Sequence, residues 1–117
     1  MLMMVDAASP VPLFEQLAAS VRGEVGRGAI VAGDRLPSAR EVAASLDINL
    51  HTVLRAYQLL RDEGLLDLRR GRGAVITERA TEYEPLLTAL PALIAEAKRL
   101  GLSSSALVAL VREEYRS

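Results

Sequence analysis

Residues 36–60 carry two short helical patterns separated by a brief break. Ser38 is able to accept a hydrogen bond from the backbone N–H of Glu41, and Glu41 is able to reach back, so residues 38–41 form the pattern of a capping box. Apolar residues then recur at helical spacing until residues 47–48 break the run, and Asn49 is a good N-cap for a second helix. Two helices joined by so few residues indicate a helix-turn-helix.

The second of these helices is amphipathic. Its apolar stripe, at steps of three and four residues, consists of Val53, Ala56, Tyr57 and Leu60. Its opposite side is polar and consists of His51, Thr52, Arg55 and Gln58. The stripe places Tyr57 in the core, and the polar free side is typical of a recognition helix.

The flanking segments supply further elements. Residues 1–10 lack periodicity and are expected to form a loose leader, whereas residues 13–27 repeat apolar side chains every four residues and predict a helix. Residues 35–36 are able to form a minimal strand. After a helix stop at Gly64, residues 65–69 and 74–77 are short strand patterns around a glycine-containing tip. A mainly α fold with a small β-hairpin, the winged helix-turn-helix, is therefore predicted for residues 10–77.

Residues 80–117 are predicted to form a separate unit of two amphipathic helices. Pro91 lies inside the first pattern and should kink or break that helix. Two helices of this size cannot bury their apolar faces against each other alone, so we expect a homodimer interface rather than a ligand pocket. The residues expected in this interface are Leu86, Leu90, Leu93, Ile94, Ala97, Leu107, Leu110 and Val111.

The composition argues against several classes of protein. The 117 residues include no cysteine and one histidine, which leaves no disulfide framework, thiolate or histidine-rich metal cluster. Without a credible nucleophile–base pair, an enzyme is the weakest hypothesis, and no catalytic residue, metal or cofactor is predicted. The start of the chain lacks a signal-peptide pattern, and no apolar run approaches the roughly 20 residues of a membrane span. A cytoplasmic protein without a membrane partner is expected.

The net charge of −1 argues against nucleic acid at first sight, but the charges are unevenly distributed. Residues 22–72 contain nine arginines against seven acidic residues, whereas the segments on either side are net acidic. Phosphate binding needs local rather than global positive charge. The charge pattern therefore permits DNA binding, and a winged helix that binds only protein remains the alternative.

Six short motifs follow one another along the chain: PLFEQL at residues 12–17, AGDRLPSAREVA at 32–43, TV at 52–53, AY at 56–57, EGL at 63–65 and RGRG at 70–73. Together they resemble the N-terminal domain of the GntR family of bacterial transcription regulators. The tail, with AKRLGLS at residues 97–103, is similar to the YtrA subfamily, whose two C-terminal helices serve dimerisation. The resemblance implies a dimeric repressor that binds double-stranded DNA, often at operons for ATP-binding-cassette transporters.

The resemblance places Arg40 at the start of the first motif helix on DNA, residues 49–52 at the start of the recognition helix, and Gly71 and Gly73 at the wing. Leu50 departs from the family, which usually has Pro or Arg there, and would touch a thymine methyl group or only fill space. The full set of expected DNA contacts is Arg35, Ser38, Arg40, Asn49, Leu50, His51, Thr52, Arg55, Arg70, Gly71, Arg72 and Gly73.

Simpler roles compete for several of these side chains. The position of Arg40 in the first turn of its helix favours a DNA contact over a merely solvated side chain. A DNA contact is also the favoured interpretation for Arg55. Arg35, His51 and Thr52 stay open between a structural role and a contact. The glycines between the wing arginines favour insertion into the minor groove. The sequence thus predicts a dimeric regulator of a palindrome read in successive major grooves, with no effector identified.

Overall fold

The computed structural model describes residues 3–71 and 73–117, so the predicted wing contact Arg72 lies outside the described residues. The elements in chain order are α1 (Leu13–Gly26), α2 (Ala39–Leu46), α3 (Leu50–Asp62), β1 (Leu66–Arg69), β2 (Gly73–Ile76), a 3₁₀ helix (Glu78–Tyr83), α4 (Glu84–Arg99) and α5 (Ser104–Arg116). The predicted fold class, mainly α with a small β-hairpin, is confirmed. Among the described residues, no helix combines the length and apolar character that crossing a membrane demands.

The core forms where α1, α3 and the hairpin meet. The largest side chains that are almost completely buried there are Leu17, Val21, Val53, Leu60, Leu65 and Ile76. The four buried residues of α1 and the four of α3 lie on the stripes that the periodicity predicts, and Tyr57 is one of them. The apolar spacing alone therefore orients both helices correctly.

Local hydrogen bonds define the helix-turn-helix. The Ser38 hydroxyl accepts from the backbone N–H of Glu41 at 3.1 Å, which caps α2. The same hydroxyl donates to the Glu41 carboxylate at 3.2 Å, whereas the capping-box pattern predicts that this carboxylate accepts from the Ser38 backbone N–H. Asp47 ends α2 in the left-handed region with φ 54°, and Asn49 caps α3 by accepting from the His51 N–H at 2.7 Å. The predicted turn and both caps are thus present.

The wing is an antiparallel hairpin. Leu66 pairs with Ile76 at its base, and Arg69 pairs with Gly73 next to the tip. Arg35 forms an isolated antiparallel bridge with Val75, so the minimal strand predicted at residues 35–36 lies beside the wing. The segment that leads into α2 is thereby fixed to the hairpin.

The tail begins in contact with the winged helix. Ala80 of the 3₁₀ helix is buried in the same core, and Tyr83 packs against it. Leu87, in the second turn of α4, lies directly over Gly26 at the end of α1. A kink or a break was expected at Pro91, and helix α4 continues through this residue without a break. Ser103 caps α5, as predicted, by accepting from the Ala106 N–H at 3.1 Å.

The segment before α1 differs from the expectation of a loose leader. The Gln16 side chain accepts from the Asp6 N–H at 2.7 Å and donates to the carbonyl oxygens of Asp6 and Val11. Met3 and Val5 also pack against the core. Periodicity could not predict this arrangement, because one glutamine on α1 holds an irregular segment.

Candidate DNA interface

Helix α3 carries four of the twelve predicted contacts, Leu50, His51, Thr52 and Arg55. His51, Arg55 and Gln58 are exposed, and Thr52 is half-buried. The Asn49 side-chain oxygen is occupied by the α3 cap, which leaves its amide nitrogen as the group with which it would bind a partner. The first two turns of α3 therefore present imidazole, hydroxyl, guanidinium and amide groups to solvent.

The start of α2 is placed next to α3 by a contact that the sequence pattern did not indicate. The Tyr57 hydroxyl donates to the Pro37 carbonyl oxygen at 2.6 Å, directly before the Ser38 cap. Burial raises the pKa of the Tyr57 hydroxyl, so it stays a neutral donor. Arg40, in the first turn of α2, is exposed and is held at a defined position relative to the recognition helix.

The tip of the wing is exposed and open. Gly71 and Gly73 have φ of 83° and 74°, in the region that favours glycine, and no atom lies within 4 Å of a Cβ placed on either. Arg70 is exposed beside them, whereas Arg69 pairs with Asp67 at 2.6 Å. Of the clustered wing arginines that are described, Arg70 thus points to solvent without an acidic partner.

Unpaired arginines are concentrated at the predicted contacts. In the described chain, four arginines of the winged helix form no ion pair: Arg35, Arg40, Arg55 and Arg70. The other described arginines of this region each have an acidic partner within 4 Å: Arg22, Arg27, Arg61 and Arg69. In the tail, Lys98 and Arg112 are also without an ion pair among the described residues. Within the described part of the winged helix, the unpaired cations are therefore all predicted contacts.

Arg55 is oriented by an aromatic ring. Its guanidinium carbon lies 3.9 Å from the centroid of the Phe14 ring on α1. A cation stacked on a ring face keeps the N–H groups at the edge of the guanidinium plane available. The contact depends on the packing of α1 against α3, which the sequence pattern did not predict.

Two leucines interrupt the polar side of α3. Leu50 is half-buried, and Leu54 is 39% exposed. Leu50 stands out by its departure from the family pattern, whereas Leu54 was not among the predicted contacts. The signal for Leu54 was available, because it lies outside the apolar stripe and one turn after Leu50.

A polar cluster joins α1, the end of α3 and the 3₁₀ helix. The Arg22 guanidinium donates to both carboxylate oxygens of Glu63, with Nε 3.0 Å from Oε2, and the Tyr83 hydroxyl donates to Oε2 at 3.0 Å. The hydrogen bond from Arg22 lowers the pKa of Glu63, and the same bond raises the pKa of Arg22. Burial first, and then the bond to Glu63, raises the pKa of Tyr83. The cluster fixes the start of the tail against α1 and the end of α3.

The predicted dimer residues lie on α4 and α5. Leu86, Leu90, Leu93, Ile94, Leu110 and Val111 are exposed, Leu107 is half-buried, and Ala97 is 7% exposed within the chain. An open cleft of about 480 Å³ between the two helices is lined by Leu93, Leu107, Leu110, Val111, Glu114 and Tyr115. The part of the chain that the structure describes contains no group of three acidic or histidine side chains arranged to hold a metal ion.

Comparison with known proteins agrees with the predicted family resemblance over residues 13–76. The sequence profile of the bacterial regulatory proteins of the gntR family matches residues 13–76, from the start of α1 to the end of β2. The HTH-type transcriptional repressor YtrA of Bacillus subtilis (strain 168) is 38% identical over 76 residues. That match covers 65% of this chain, and it spans only 58% of the length of the repressor.

Two solved structures are similar in fold. A GntR family transcriptional regulator from Listeria monocytogenes superimposes with a TM-score of 0.64 at 28% identity, covering 93% of this chain and 98% of that chain. The DNA-binding domain of AraR, in complex with operator ORE1, has a TM-score of 0.55 and covers 66% of this chain and 94% of that chain. At 19% identity, this second likeness concerns the fold alone.

Proposed function

The chain belongs to the GntR family of bacterial regulatory proteins, and we propose that it is a dimeric transcriptional repressor of a palindromic operator in double-stranded DNA. Membership of the family makes it a transcription regulator with a winged-helix DNA-binding fold rather than an enzyme. The repressor role follows the similar protein YtrA, which is named a repressor. The YtrA-like tail extends the proposal to a transporter operon as the regulated target.

The observation that carries the proposal is the position of the unpaired arginines. An arginine that binds a phosphate displaces condensed cations from DNA, and this release drives association. An arginine already paired with a carboxylate must first give up that partner. Arg35, Arg40, Arg55 and Arg70 have no such partner among the described residues, and they lie on α2, on α3 and around the wing.

In the proposed complex, the N-terminal half of α3 enters the major groove. Asn49, His51 and Thr52 would contact base edges or phosphates there, and Arg40 would bind from the start of α2. The tip of the wing would enter the adjacent minor groove, where glycines at residues 71 and 73 permit close approach. Ser38 would contribute through its backbone, since its hydroxyl is occupied by the cap of α2.

The proposed dimer forms through α4 and α5. Six of the eight expected interface residues are exposed in the single chain, and three of these six, Leu93, Leu110 and Val111, line the apolar cleft between the two helices. A second copy would cover these side chains and place two recognition helices about 34 Å apart, one helical turn of DNA. Leu107 borders the same cleft, whereas Ala97 has little surface left to offer.

Fluorescence anisotropy with random and candidate palindromic duplexes over a salt series tests DNA binding. The logarithm of the association constant should fall linearly with the logarithm of the salt concentration. Arg40→Ala should weaken specific binding by about 1–3 kcal/mol. Arg27→Ala is the matched control, because Arg27 is exposed directly after α1 and is paired with Glu24.

A lack of binding at low salt would overturn the regulator proposal and favour a winged helix that binds only protein. Equal losses from Arg40→Ala and Arg27→Ala would show that only overall charge matters and would remove Arg40 from the contacts. Unchanged affinity in Arg40→Ala would remove it as well, without affecting the proposal that the protein binds DNA.

A further inference from the structure

Leu50 and Leu54 form an apolar pair on the DNA-facing side of α3. Neither belongs to the core of the described chain nor packs against it, in contrast to Ile48 just before the helix and Leu59 further along it. Leu54 is 39% exposed and Leu50 is half-buried. Residues four apart lie on the same side of a helix, so the two leucines form one continuous apolar surface.

Single exposed leucines are ordinary on protein surfaces, but this pair is surrounded by polar and cationic side chains. It lies in the first two turns of α3, where Leu54 follows the exposed His51 by three residues and precedes the exposed Gln58 by four. Arg40 and Arg55, without ion pairs among the described residues, lie on the same helix-turn-helix. An apolar surface with such cationic neighbours suits a partner that is anionic overall and offers small apolar groups.

We infer that Leu50 and Leu54 recognise the C5-methyl groups of thymines in the major groove, an inference that rests on the proposed function. The thymine methyl is the apolar group among the base edges of that groove, and apolar side chains contact it. Leucine cannot donate a hydrogen bond to a phosphate or a guanine, so this pair discriminates bases by burying methyl groups.

The geometry of the helix limits where the thymines lie. Four residues at a rise of 1.5 Å separate the two leucines by about 6 Å along the helix axis. Base pairs are spaced by about 3.4 Å, so the two methyl groups lie within about two base steps of each other. The arginines fix the register through phosphates, and the leucines require thymines at two nearby positions of each half-site.

Replacement of thymine by deoxyuridine tests this inference directly. Duplexes are first selected from a randomised library by the full-length protein at low salt, and each thymine of the selected duplex is then replaced singly. Deoxyuridine keeps every hydrogen-bonding group and removes only the methyl. Burying one methyl or methylene group corresponds to about a fourfold change in affinity. We expect about fourfold weaker binding at two nearby positions in each half-site and little change elsewhere.

Two variants connect the effect to the residues. In Leu54→Ala and in Leu50→Ala, the same replacement at one of the two positions should no longer weaken binding. Val31→Ala, which shortens an exposed apolar side chain outside α3, is the matched control and should keep the full sensitivity.

Several results would overturn the inference. Selected half-sites without nearby thymines, or thymines whose replacement changes nothing, would exclude methyl recognition. A deoxyuridine effect that persists in both leucine variants would assign it to other residues or to the shape of the DNA. In all three cases the protein still binds DNA, so the proposed function survives, whereas failure to select any duplex at low salt would overturn both.

Discussion

Replacing Gly26 with alanine tests how the tail is joined to the winged helix. Gly26 is the last residue of α1, and a Cβ placed there would lie 2.5 Å from the Cβ of Leu87 and closer still to its Cγ. Carbon atoms in contact normally lie about 3.5–4.0 Å apart, so Leu87 and the start of α4 must retreat by about 1 Å. The side chain cannot simply swing away, because its Cβ is part of the overlap.

The expected magnitude follows from two opposing effects. Overpacking of this kind costs about 1–3 kcal/mol, whereas alanine recovers at most about 1 kcal/mol over glycine inside a helix. We therefore expect Gly26→Ala to lower the free energy of unfolding by about 1–2 kcal/mol. Leu87→Ala removes the contacts with Cγ and Cδ1 and keeps only the one with Cβ, so it relieves part of the overlap. The double variant should therefore be more stable than the sum of the single effects by about 1 kcal/mol, a typical coupling between touching residues.

Urea unfolding of the wild type, the two single variants and the double variant measures this coupling at several protein concentrations, because dimer formation would shift the midpoints. Gly23→Ala is a matched control on the same helix. A Cβ there meets only the end of the flexible Arg27 side chain, at 3.3 Å, so this substitution should be neutral or stabilising. If Gly26→Ala stabilises the protein as Gly23→Ala does, or if the effects of Gly26→Ala and Leu87→Ala simply add, α4 does not pack on α1 as described.

Glu63→Gln should destabilise the protein at neutral pH, because it removes the charged acceptor of the bonds from Arg22. Those bonds lower the pKa of Glu63 in the folded state. Their contribution to stability is therefore present above the unfolded-state pKa and disappears as pH falls through the folded-state pKa. The urea midpoints of the wild type and the variant should converge in acid. Tyr57→Phe removes the hydrogen bond to the Pro37 carbonyl and should cost about 0.5–1.5 kcal/mol in the same assay. An unchanged midpoint would mean that this bond contributes nothing in solution. Leu110→Glu places a carboxylate on a side chain that is 54% exposed, so the variant should fold but sediment as a monomer. A dimeric variant would place the interface elsewhere.

Local signals account for the part of the fold that the sequence predicted correctly. The caps at Ser38 and Asn49 each bond to a backbone N–H two or three residues away, so the residue type is sufficient evidence. The hairpin likewise follows from two strand patterns around glycines, and the observed strands begin and end within one residue of the predicted ranges. The stripes of α1 and α3 depend only on periodicity.

The contacts that join elements had no such signal. Tyr57 and Pro37 are 20 residues apart, and Arg22 and Glu63 are 41 apart. A tyrosine on an apolar stripe, such as Tyr57, and an arginine on a helix, such as Arg22, are both common. Neither residue type indicates which distant residue it will bond to. Leu54 is different, because its position off the stripe was visible in the sequence, and only its exposure distinguishes it from a packed leucine.

Helix α1 contacts both functional parts of the molecule. At its first turn Phe14 lies under the Arg55 guanidinium. Toward its end Arg22 is joined through Glu63 to Tyr83 of the 3₁₀ helix, and Gly26 contacts Leu87 of α4. Packed contacts therefore connect the recognition helix to the tail without a flexible linker between them. In the proposed dimer, the separation of the two recognition helices would be set by this packing, and an operator with a fixed half-site spacing would be required. Helix α3 would then determine which bases are bound, and the contact between Gly26 and α4 would determine which half-site spacing is bound. The two preferences could be changed independently, because they depend on different residues of the same chain.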